Sequence, residues 1–156
     1  MAHLRRRSKK YRPKGVSANP IALALTMCST LDDAERSKLI MSARSALEAF
    51  RTGQATAGEW RDMADALNVG EELMRFGLAP DHAETFLEAQ RALAAVCDRA
   101  NLKGSFTLRA AELEALRVAV VVHEVQLSAV AGGEFRAAVQ RVIRRTREAL
   151  RGNGAS

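Results

Sequence analysis

At 156 residues, with a formal net charge of +6 and 47% hydrophobic residues, the chain has the size of one domain that buries a core of its own, so neither a disulfide framework nor a structural metal is needed for stability. Aromatic residues make up only 4% and prolines number three, a composition that favours helices over pleated sheets. The charge is unevenly placed: residues 1–16 carry +7, residues 17–135 carry −6, and the end of the chain is basic again.

Residues 1–16 read as a basic flexible arm, residues 17–151 as a single helical domain, and residues 152–156 as a frayed end. Asn19 and Pro20 supply a cap and a first helical residue for a short apolar helix to about Cys28. A basic start before an apolar run is also the pattern of a secretory signal. That reading is rejected because the run is short, Pro20 opens it like a helical turn, and Met27 precedes Cys28 where lipidation needs a small residue. Thr30 with Asp33 resembles a capping box and predicts a helix from 31 to about 52. Thr56 with Glu59 makes a full box for the next, which carries Trp60, Met63, Leu67 and Leu73 up to the stop at Gly77. Pro80 and Asp81 open a further helix, whose Phe86, Leu87, Leu93, Val96 and Cys97 recur at helical spacing.

Thr107 is expected to cap a helix from 108 to about 131. The Val118–Val122 run inside it competes as a strand, but the apolar period continues for turns on either side and decides for a helix, apolar nearly all round. Gly132 and Gly133 break it. The last helix, from 134 to about 151, is predicted to bury Phe135, Val139, Val142, Ile143 and Leu150 with its arginines facing away. The fold class is therefore all-α, a compact bundle of about five or six helices with a basic N-terminal arm. Leu47, Trp60, Leu67, Phe86, Leu93, Leu116, Leu127 and Val139 are its expected core. The helix over 116–130 is apolar on more than one face, which makes a homodimer the expected oligomer, with burial of that helix at the centre of the domain as the alternative that needs no partner.

The search for chemistry returns little. None of His3, His82 and His123 has a second ligand three or four residues away, so no metal site is predicted, and His123 on its apolar stripe reads as a core histidine. Asp32–Asp33 and Glu71–Glu72 read as acids of helix starts or solvated faces. No phosphate-cradling glycine loop and no nucleophile elbow occurs, so no catalytic residue and no cofactor is predicted, and the chain reads as a non-enzyme. Cys28 and Cys97, alone and far apart, read as reduced thiols of a cytoplasmic protein, with one long-range disulfide as the alternative. No stretch approaches the length of a membrane span.

What remains is charge. Arg5, Arg6, Arg7, Lys9, Lys10, Arg12 and Lys14 flank the aromatic Tyr11, an arrangement that tracks a phosphate backbone while the ring stacks on an unpaired base. A solvated terminus that only aids solubility is the plain alternative. In the last helix Arg141, Arg144, Arg145 and Arg151 fall near one side and form a second basic element, for which an ordinary polar helix face is again the alternative.

The segments KKYRPK (9–14), GQATAGEWRDMADALNVGEEL (53–73) and FTLRAAELEAL (106–116) resemble small helical proteins carried by proteobacterial phages and mobile elements. The resemblance implies no settled activity, and it implies a context of nucleic-acid binders, regulators and inhibitors of host machinery. Two functions follow. One is a phage or mobile-element accessory protein that binds DNA or RNA through its basic arm. The other is a protein-interaction module that inhibits a host nucleic-acid machine such as a bacterial defence complex.

Overall fold

The computed structural model describes residues 30–153, so the basic arm and the short helix expected to end near Cys28 lie outside the described residues. Five α-helices make up the described chain: α1 (Asp33–Arg51), α2 (Ala57–Arg75), α3 (Ala83–Lys103), α4 (Ala110–Ala129) and α5 (Gly132–Asn153). The class is all-α, and the Val118–Val122 run is helical within α4.

The helix starts differ from expectation in four places: Gly132 and Gly133, expected to break the chain ahead of the last helix, are instead the first two residues of α5, after a connection of Val130 and Ala131 alone, and the other three starts differ for local reasons. Thr30 does not cap α1; it pairs with Ala131 in an isolated antiparallel bridge, and Asp32 stands at the N-cap without a side-chain bond. Arg36 fastens this end instead, donating to Asp33 Oδ1 (2.9 Å), to the Leu31 carbonyl (3.0 Å) and to the Leu127 carbonyl (3.3 Å), one of the orphan acceptors at the end of α4. Pro80 opens a single 3-10 turn (Pro80–His82) rather than α3 itself, because Ala79 takes a left-handed φ of 54° and the chain needs one tight turn to recover the helical direction. Thr107 does not cap α4 either. Its carbonyl accepts from Arg99 (2.9 Å), and the capping carboxylate is Glu112, which accepts the backbone N–H of Arg109 at 2.8 Å. A capping carboxylate reaches back three residues, which sets Arg109 as the start. The Thr56/Glu59 box forms as expected, with Gly58 N–H on Thr56 Oγ1 at 3.1 Å and Thr56 N–H on Glu59 at 2.8 Å.

The second helix is the hub, packing against α1, α3, α4 and α5, while α1 and α5 hardly meet each other. One apolar cluster joins α1 to α4 around Phe50, Met63, Leu67, Phe86, Leu93, Leu116 and Val120; a second joins Leu31, Val69, Leu73, Leu127, Val130, Ala138 and Val142 beneath α5. Of the expected core, Leu67, Phe86, Leu93, Leu116 and Leu127 are buried, whereas Leu47, Trp60 and Val139 are half-buried. Trp60 sits at the edge because its indole N–H reaches the Leu93 carbonyl at 2.9 Å, which orients the ring along the α2–α3 boundary. Leu150 is 70% exposed and Ile143 37%, against the expectation that α5 buries both: the second half of α5 runs beyond the core it would need to cover them.

Gly70 of α2 leaves room for the Phe86 ring of α3 to lie close against the helix. A β-carbon there would collide with the edge of the Phe86 ring and lie 3.1 Å from Gln126 Oε1. We expect Gly70→Ala to destabilise the protein by about 1–3 kcal/mol in urea denaturation despite alanine's better helix propensity, since the buried ring has nowhere to move. A stabilised variant would show that Phe86 can yield.

Candidate nucleic-acid interface

Of the predicted contact residues, Arg5, Arg6, Arg7, Lys9, Lys10, Tyr11, Arg12 and Lys14 lie outside the described residues, and Arg141, Arg144, Arg145 and Arg151 sit on α5. These four divide into two pairs. Arg145 donates to Glu72 Oε1 at 3.1 Å and to Glu71 Oε2 at 3.3 Å; Arg75 meets the same two carboxylates at 3.2 Å each; Gln90 donates to Glu71 at 3.1 Å. Arg141 lies over the Phe76 ring, 4.8 Å from its centroid, with Nη1 4.0 Å from Glu72 Oε2. Glu72 is only 2% exposed, and its Oε2 accepts no hydrogen bond among the described residues. Arg141 and Arg145 therefore fasten α5 to α2 by neutralising a buried carboxylate that would otherwise be costly.

The other two stay open. Arg144 and Arg151, with Arg147 between them, are exposed, form no ion pair among the described residues, and border a shallow concavity along α5 with Gln140 and one acid, Glu148. Seven residues of helix separate Arg144 from Arg151, a rise of about 10.5 Å, the span of about three nucleotide steps of one strand. The positive stripe read from the sequence is thus half structural and half available. The sequence held a signal for the structural half: Glu72 stands three residues after Val69 and four before Phe76, on the apolar stripe of α2 rather than on its solvated face.

A second site, which the sequence did not reveal, lies between α1 and α5 as an open groove of about 360 Å³. Its walls are apolar, Leu39 and Ala43 from α1, Val69 from α2, Phe135 and Val139 from α5, with Asp62 and Asp65 at one rim and His123 of α4 contributing from below. His123 is buried, and its Nδ1 lies 3.3 Å from Gln126 Oε1. The Gln126 amide donates to the carbonyls of Gly70 and Leu78, both at 3.0 Å, so its oxygen is left facing the ring and His123 Nδ1 must carry the proton. Nε2 is then the bare nitrogen. Burial holds this imidazole below its ordinary pKa, opposed by the Gln126 hydrogen bond and the Glu124 charge. Burial, and then the neighbouring Asp62, raise the Asp65 carboxyl above its ordinary range.

A depressed histidine pKa makes the folded state bind fewer protons than the unfolded chain. Its contribution to stability is complete above the ordinary value of 6.5 and is lost as the pH falls through the folded value. We expect the thermal midpoint to drop between pH 7 and pH 5, and His123→Asn, which keeps a donor toward Gln126, to flatten that drop. An unchanged slope in the variant would assign the acid sensitivity to other groups.

Among the described residues no group of histidine, cysteine and acidic side chains is placed to hold a metal ion, and no helix is long and apolar enough to cross a membrane. Cys97 is half-buried and free, and Cys28 lies outside the described residues. Comparison of the chain with family models, with curated proteins and with solved structures finds no match.

Proposed function

We propose that the chain is a non-enzymatic accessory protein, of the phage or mobile-element kind its sequence resembles, that binds nucleic acid through its basic arm and the outer face of α5. One observation carries the reading: with Arg141 and Arg145 committed to Glu71 and Glu72, α5 still holds Arg144, Arg147 and Arg151 exposed and without ion pairs among the described residues. An arginine whose partner is already inside the fold serves the fold; three without one, beside a tail of seven cations, suit phosphates. Binding of random oligonucleotides over a range of salt concentrations tests this. Replacing Arg144, Arg147 and Arg151 by glutamine is expected to lower the salt slope by about 2.7, at about 0.9 per duplex phosphate contact, with the helical signal unchanged. An unaltered slope would remove α5 from the interface.

A second reading rests on a different surface. Val118, Val121 and Val125 are 36%, 51% and 61% exposed at helical spacing on α4, an apolar stripe that favours a protein partner, either a second copy or a host complex that handles nucleic acid. Capture from host lysate with and without nuclease separates the two readings, since a partner retained after nuclease treatment is held by protein contact.

A further inference from the structure

We propose that the groove between α1 and α5 binds a small organic cation, an apolar body with an ammonium head, the body held by the walls of the two helices and the head by Asp62 and Asp65. Its volume, about 360 Å³, lies within the range of small-molecule pockets, about 300–1,000 Å³, and its make-up is theirs: apolar side chains from several helices with a few convergent polar groups. Polarity then decides the charge of the ligand. Asp62 and Asp65 stand three residues apart on one side of α2, about 4.5 Å apart in helical rise, and neither forms an ion pair among the described residues. No lysine or arginine lines the groove. Burial and the Asp62 charge already hold the Asp65 carboxyl above its ordinary range, and a cation beside the two relieves that cost.

His123 gives an independent sign. It is 4% exposed, its Nδ1 is spent on Gln126, and its Nε2 has no hydrogen-bond partner among the described residues. Among those residues the one side-chain polar atom both unbonded and sealed from solvent is Glu72 Oε2, so the surface that Nε2 retains opens into the groove that His123 lines. A neutral imidazole with its proton on Nδ1 is an acceptor there. The titratable groups of the groove are thus acceptors throughout, and a protonated amine supplies N–H donors and positive charge together. An anion would meet two carboxylates instead, and a wholly apolar ligand would cover Nε2 without giving it a partner.

Tryptamine is the probe, since it carries an ammonium head and a second donor, the indole N–H, on an apolar body; tryptophol, with a hydroxyl in place of the ammonium, is its neutral counterpart. Titration of the isotope-labelled full chain with each, followed by NMR, reads affinity and location together and needs no nucleic acid, so its outcome is separate from the binding function. Tryptamine is expected to shift the signals of His123 and Val139 and to bind about tenfold more tightly than tryptophol, a preference that disappears in the Asp62→Asn, Asp65→Asn double variant. Both aspartates are exposed and unpaired among the described residues, so the double variant should keep its helicity. Ser42→Trp fills the groove from an exposed position without removing a core side chain, and should abolish binding of both probes. No binding of tryptamine at millimolar concentration would overturn the proposal, as would equal affinity for the two probes or a preference that survives loss of both aspartates. Binding that persists in Ser42→Trp would overturn it too, by assigning the probe to another surface.

Discussion

A chain lacking residues 5–14 is expected to keep the helicity of the full-length protein and to lose most of its affinity for oligonucleotides at low salt. The deletion removes seven cations and no acid. At about 0.9 per duplex phosphate contact, the slope of binding against salt falls by about 6 if every cation finds a phosphate, and proteins making six to ten such contacts vary by about 10³–10⁵ in affinity between 50 and 200 mM salt. Tyr11→Ala is expected to act on a different quantity: stacking on an unpaired base is worth about 1–3 kcal/mol, so the variant should weaken binding to single strands more than to duplex. Equal binding by the full-length and shortened chains would show that the arm is not the nucleic-acid site. If neither form binds, the apolar face of α4 and a protein partner become the leading account.

Leu67→Ala is expected to cost about 2–5 kcal/mol of unfolding free energy in urea, the largest loss of any single substitution considered. Leu67 is 1% exposed and stands on the one helix that packs against all four others, so the cavity left by its truncation is walled by several elements and collapses poorly. Leu150→Ala is the contrasting variant. At 70% exposure it removes almost no packing and should change stability by less than about 0.5 kcal/mol. A similar, small loss at both positions would mean that the core is loosely packed around α2.

The helices were legible because their signals are local: the Thr56/Glu59 box and the apolar period around Leu67, Phe86 and Leu116 act within a turn or two of chain. Boundaries were less so, since Thr107 and Thr30 have the chemistry of caps but their neighbourhoods were taken by Arg99 and by Ala131 across the fold. The same limit governs the candidate interface. Nothing near Arg145 in the sequence announces Glu71 and Glu72, some seventy residues earlier, and a stripe of like charges on one helix looks the same whether its partners are phosphates or carboxylates. Gln126 was silent for another reason. Its three hydrogen bonds, to His123, Gly70 and Leu78, link elements from three parts of the chain, and a glutamine three residues from a histidine has no distinctive pattern of its own.

Because α5 is held chiefly by α2, with the Arg141 and Arg145 contacts to Glu71 and Glu72 among its fastenings, it is the one helix whose departure leaves the Phe50–Met63–Leu67–Phe86 cluster whole. Such an arrangement predicts two cooperative units of unequal opening free energy, with α5 the first to exchange its amides. Ionic strength weakens the anchoring of the outer unit and the attraction of arginine for phosphate together, so on the proposed function the helix would be gripped most firmly under the conditions in which it would bind best. A polyanion on Arg144, Arg147 and Arg151 would leave the Arg141 and Arg145 contacts to Glu71 and Glu72 in place, so the seam between α2 and α5 would hold while the outer face of the helix is occupied.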